Sequence, residues 1–81
     1  MSDPSSAETF PRDICVVGAG HWGRNLVRNF HALGVLRTVC DANEDTLARG
    51  LEMAPGAVGA RNLSEVLQDP RVQGVVIASP A

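Results

Sequence analysis

Three glycines, Gly18, Gly20 and Gly23, set between an apolar run and a helical pattern, restrict what this chain can fold into more than any other feature. Ile14, Cys15, Val16 and Val17 form a continuous apolar stretch, the pattern of a parallel strand buried on both faces. Beyond the glycines, Trp22, Leu26, Phe30 and Leu33 recur at helical spacing, while Arg24, Asn25, Arg28 and Asn29 supply a polar side. Gly34 follows as a helix-terminating residue. Gly18-Ala19-Gly20-His21-Trp22-Gly23 therefore matches G-x-G-x-x-G in the strand-to-helix context that gives the pattern its meaning.

The same alternation continues. Residues 35–41 return to strand character with Leu36, Val39 and Cys40 apolar and Asp41 at the carboxyl end. Asn43, with Glu44 and Asp45, suits the start of a second helix carrying Leu47 and Leu51 one turn apart, which Pro55 and Gly56 stop. Residues 57–60 read as a short edge strand, and Asn62 and Glu65 stand at capping-box spacing before Leu63, Val66 and Leu67. That third helix is expected to end near Asp69 and Pro70, and residues 72–78 to form the last strand. Strands alternating with helices imply a parallel sheet covered by helices and joined by right-handed crossovers, and the half-Rossmann reading carries the strand order 3-2-1-4. The expected class is α/β, a partial Rossmann fold: residues 1–12 a flexible lead-in, residues 13–81 a truncated dinucleotide-binding domain without a C-terminal α+β domain.

Composition bounds the rest. A chain of 81 residues builds one small core. The formal net charge is -2 and the arginines are scattered, with no basic cluster to follow a phosphate backbone, so nucleic acid is not an expected partner. Cys15 and Cys40 lie inside apolar runs without metal-ligand spacing, so they read as buried thiols of a cytoplasmic protein, and no metal site is expected. The first residues lack the basic start and apolar run of a secretory signal, and no apolar segment approaches the ~20 residues needed to span a bilayer, so no membrane association is expected.

Each position of the glycine motif has a chemical reason. Gly18 permits the tight turn, Gly20 lets backbone approach a pyrophosphate, and Gly23 lets the helix pack closely on the sheet. The pyrophosphate then meets free amides around His21 and Trp22 at the positive end of the helix dipole. Asp41 is placed to accept hydrogen bonds from the adenosine ribose and to repel a 2′-phosphate, which favours NAD over NADP unless Arg37 or Arg49 reaches in. Other readings stand beside these: Asp41 as a solvated turn or capping carboxylate, His21 as a backbone donor with an incidental side chain, Trp22 as a member of the Leu26 and Phe30 core stripe. No residue here is expected to be catalytic. Ser79 and Pro80 fall at the carboxyl end of the last strand, where open α/β sheets bind ligands and where a plain turn fits equally.

With these residues placed, the chain from Ile14 to Ala81 resembles the start of the glucose-fructose oxidoreductase, inositol dehydrogenase and MocA family. The stretch from Gly20 to Phe30, followed by Val39-Cys40-Asp41, is similar to the branch of UDP-N-acetylglucosamine and UDP-N-acetylglucosaminuronate 3-dehydrogenases. Gln73, where the family often has an acidic residue, and Arg24, where the branch often has proline or lysine, depart from the pattern. The resemblance implies an oxidoreductase passing hydride from a sugar, sugar-nucleotide or cyclitol hydroxyl to NAD, with Ala78, Ser79 and Pro80 along the nicotinamide side. It also implies a proton-transferring lysine and a substrate domain beyond Ala81, so this chain is expected to bind cofactor but not to react alone, and to form oligomers only with that domain. The alternative from another class is a stand-alone nucleotide-binding or partner-docking module.

Overall fold

In the computed structural model, which describes residues 11–78, the apolar run forms β1 (Ile14–Val17) and the glycine loop leads directly into α1 (His21–Ala32). Then come β2 (Leu36–Cys40), α2 (Glu44–Glu52), β3 (Val58–Ala60), α3 (Leu63–Leu67) and β4 (Gly74–Ile77). The four strands are parallel and lie in the order β3-β2-β1-β4, the order expected from the sequence. β1 is thus an inner strand, and every strand's carboxyl end opens on the same side.

The helix ends follow from local chemistry. Gly34 adopts a φ of 77°, a left-handed conformation that ends α1: its amide donates to the His31 carbonyl at 2.9 Å, and the Val35 amide donates to that of Phe30 at 3.2 Å. These paired bonds satisfy carbonyls that the last helical turn leaves free. α2 begins at Asn43, whose side-chain oxygen accepts from the Thr46 amide at 2.9 Å. It stops short of Pro55, because Met53 and Ala54 already bond three residues back, the tighter closure common at helix ends.

α3 differs from the sequence reading in two ways. It ends at Leu67, before Asp69, because the residue preceding Pro70 is steered out of helical geometry and the Asp69 carboxylate instead accepts from the Arg71 amide at 2.9 Å and from Arg37 Nε at 2.7 Å. Those two bonds, in that order, hold the Asp69 carboxyl below the ordinary carboxylate range. The capping box is also shifted: Asn62 accepts from the Glu65 amide at 2.9 Å, but Glu65 returns to the Arg61 amide, not that of Asn62.

Alternation along the strands divides the core into two. Val16, Val27, Leu36, Val39 and Leu47 are buried together on the face covered by α1 and α2, with Leu26, Phe30 and Leu51 around them. Cys15, Cys40, Ala60 and Val66 are buried on the face covered by α3. Both cysteines are unpaired thiols, as their apolar setting implied, and burial first and Cys40 second push Cys15 up to about 12. Thr38, in register with Cys15, buries a hydroxyl on that second face that has no hydrogen-bond partner among the described residues. No helix among the described residues is long and apolar enough to cross a membrane.

Candidate functional site

The loop after β1 is held from both sides. The Gly18 amide donates to the Cys40 carbonyl at 2.7 Å, extending the β1–β2 pairing by one residue, and Gly18 then turns with a φ of 95°, a conformation that a β-carbon disfavours. A β-carbon at Gly23 would stand 1.7 Å from the Gly18 carbonyl oxygen, so α1 rests on the loop itself and only glycine fits at that crossing. Gly20 is different. It has an ordinary negative φ of -71°, and a β-carbon there would meet nothing within 4 Å. The fold requires glycine at Gly18 and Gly23, whereas Gly20 faces open space.

That space is a cleft of about 700 Å³ at the carboxyl edge of the sheet, bounded by Gly18 and Gly20 on one side and by Asp41, Ala42, Arg61 and Asn62 on the other. Open α/β sheets bind ligands at this edge, because loops rather than strands face it. The beginning of α1 lines the cleft and differs from the other helix starts. Its first turn has no side-chain cap and no acidic residue, whereas α2 and α3 each have an Asn cap and at least one acid. Its leading amides therefore keep their donor capacity, and no acid of its own first turn offsets the positive end of its dipole.

Asp41 stands in the cleft wall and also binds backbone. Its carboxylate lines the cleft, yet one oxygen accepts from the Ala19 amide and the other from the Asn43 amide, each at 2.8 Å. The side chain thus braces the glycine loop against the β2–α2 turn. An ionised carboxylate has about four acceptor sites, so two backbone bonds leave capacity for a ligand hydroxyl.

The remaining expected residues divide clearly. His21 is exposed and lines the cleft. Ala78 is buried against it, with its amide on the Val17 carbonyl at 2.8 Å, while Ser79 and Pro80 lie outside the described residues. Trp22 corrects the core-stripe reading: it is 66% exposed on the cleft wall, because the buried side of α1 runs through Gly23 and Val27, and nothing among the described residues covers its first turn. Arg37 is engaged with Asp69 instead of the cleft, and Arg49 does not line it.

Arg61 was not singled out in the sequence. It follows β3, and only the order β3-β2-β1-β4 brings that strand end beside Asp41. The available signal was positional, an arginine at the carboxyl end of a strand adjacent to the one bearing Asp41. No family model matches this chain, and neither does any curated protein.

Proposed function

We propose that the cleft holds the adenosine diphosphate portion of NAD, and that the chain is the cofactor-binding part of an oxidoreductase. The observation that carries this reading is the contrast among the glycines and helix starts. Gly20 is a glycine that the fold does not require, and it stands at the one helix start, among the described residues, that has neither cap nor acid. A pyrophosphate accounts for both, since it needs close backbone approach and free amides. The adenosine ribose fits at Asp41, whose remaining lone pairs accept its hydroxyls and whose charge disfavours a 2′-phosphate, so NAD is preferred to NADP.

Bound NAD supplies a hydride acceptor. The chain's own residues bind and orient it: α1 amides at the pyrophosphate, Asp41 at the ribose, Trp22 and Ala78 along the wall toward the nicotinamide. Ser79 and Pro80 continue that wall in the family that the sequence resembles. From the same resemblance we take the donor to be a sugar, sugar-nucleotide or cyclitol hydroxyl, and from the buried free thiols of Cys15 and Cys40 we take the protein to be cytoplasmic. A docking module without chemistry is the second reading, favoured by Ile77, which stands 65% exposed on the face of β4, a strand that pairs on one side only among the described residues.

The test is calorimetric titration with NAD and NADP on the wild type, Gly20→Val and Asp41→Ala. Gly20→Val is expected to keep its fold, given the open space there, and to lose NAD binding by ~10-fold or more through the blocked pyrophosphate approach. Asp41→Ala is expected to narrow the NAD preference. A folded wild type that binds neither dinucleotide overturns the reading.

A further inference from the structure

Arg61 is ordered in a way that its ion pairing does not explain. Its Nε and Nη2 both donate to the Ala42 carbonyl, at 3.2 and 3.0 Å. Its nearest carboxylate, Glu44, is 3.9 Å away and strongly exposed, a pairing that contributes little in water. The backbone amide of Arg61 is meanwhile held by Glu65, so the residue is tied at both ends, to the β2–α2 loop and to the start of α3. One edge of the guanidinium is used in this anchoring. Nη1 lies toward Glu44, and the half-exposed side chain lines the rim of the cleft.

We propose that Arg61 is the positioning residue for the base: a face of its guanidinium stacks on the purine ring of the bound dinucleotide. The inference rests on the cofactor reading above and specifies its adenine end. The anchor carbonyl belongs to Ala42, the residue directly after Asp41, and a base attached to a ribose seated at Asp41 necessarily lies within reach of that peptide. Two chemistries suit an arginine here, stacking on a π face and pairing with a 2′-phosphate. Local charge decides between them. Asp41 faces the same cleft and Glu44 flanks the guanidinium, so an added phosphate would meet two carboxylates for one cation, whereas a neutral purine meets no such penalty. The planar guanidinium, held in place by the carbonyl before any ligand arrives, needs little further ordering to stack.

Titrations of NAD, NADP, 5′-AMP and nicotinamide mononucleotide against the wild type, Arg61→Ala and Arg61→Lys test this, with circular dichroism checking each fold. Stacking at this exposed site predicts that Arg61→Ala weakens NAD and 5′-AMP by the same ~5-fold and leaves nicotinamide mononucleotide unchanged. Arg61→Lys should behave like Arg61→Ala, since lysine keeps the charge without the plane. Unchanged NAD and 5′-AMP affinity in Arg61→Ala overturns the proposal alone, as does full rescue by lysine or a loss confined to NADP. A wild type that binds neither NAD nor 5′-AMP overturns it together with the cofactor reading.

Discussion

The two faces of the sheet are built to different standards. One is covered by α1 and α2, helices of 12 and 9 residues, which bury a continuous set of branched aliphatic side chains against β1 and β2. The other is covered by α3, of 5 residues, over the small side chains of Cys15, Cys40 and Ala60. On that second face Leu67 remains 70% exposed, and Ile77, in register with Val17, is scarcely better covered. Fully burying such a side chain contributes about 1.5–3 kcal/mol, so the thin face leaves much of its apolar surface unused. The difference has a functional consequence. Gly18, Gly23 and the start of α1 rest on the thick face, where packing holds them to one geometry, while Arg61 and Asn62 reach the cleft from the thin side, Arg61 held by hydrogen bonds to the β2–α2 loop and Asn62 by its bonds with Glu65.

The most direct way to break the thick face is at its closest contact. Gly23→Ala places a methyl group 1.7 Å from the Gly18 carbonyl, a backbone atom that cannot step aside without moving α1 off the loop. We expect a loss above about 4 kcal/mol, in effect no folded protein, read from denaturant unfolding followed by circular dichroism. A normally folded Gly23→Ala variant would mean that α1 is not seated as described.

A matched pair of truncations sharpens the comparison. Val27 and Val66 are both fully buried, Val27 on the thick face and Val66 on the thin one. Because the cost of a cavity depends on how far its surroundings relax, Val27→Ala should destabilise by about 2 kcal/mol and Val66→Ala by about 1 kcal/mol. Equal losses would remove the distinction between the faces.

Alkaline pH acts on the thin face selectively. The chain contains no Lys and no Tyr, so its two cysteines are the only side chains that titrate between about pH 8 and pH 12. Both belong to the thin face, and burial pushes both thiols up, Cys15 to about 12. The unfolded thiol ionises near its ordinary value while the folded one stays protonated. The unfolded state then binds fewer protons, and stability, full below the unfolded value, falls as pH rises toward the folded one. From pH 8 to pH 9.5 the Cys15 share is about 1 kcal/mol, and Cys15→Ala should flatten the profile by that amount in urea titrations repeated across the range.

Much of the fold was legible because its signals are local. The apolar run of β1, the helical stripe after it, Asn43 and Asn62 as helix starts and Gly34 as a stop each act within a turn or two of chain, and each stands where its chemistry places it. The strand order followed as well, once the glycine loop between strand and helix had pointed to the Rossmann class. What the sequence left open is of a different kind. The environment of Trp22 depends on whether another segment covers the first turn of α1, and the partner of Arg37 lies beyond α3, so neither is set by spacing along the chain.

The glycine loop shows where the two kinds of information meet. The sequence by itself determined that a strand turns into a helix through Gly18, Gly20 and Gly23 and that an acid closes the next strand, because backbone sterics and hydrophobic periodicity are properties of neighbouring residues. Only the tertiary structure decided that Gly18 and Gly23 answer to the fold and Gly20 to the open cleft, that Asp41 braces the loop it faces, and that Arg61 arrives beside it from another strand. Those are distances between residues far apart in the chain, and they exist only once the sheet has brought its carboxyl ends together.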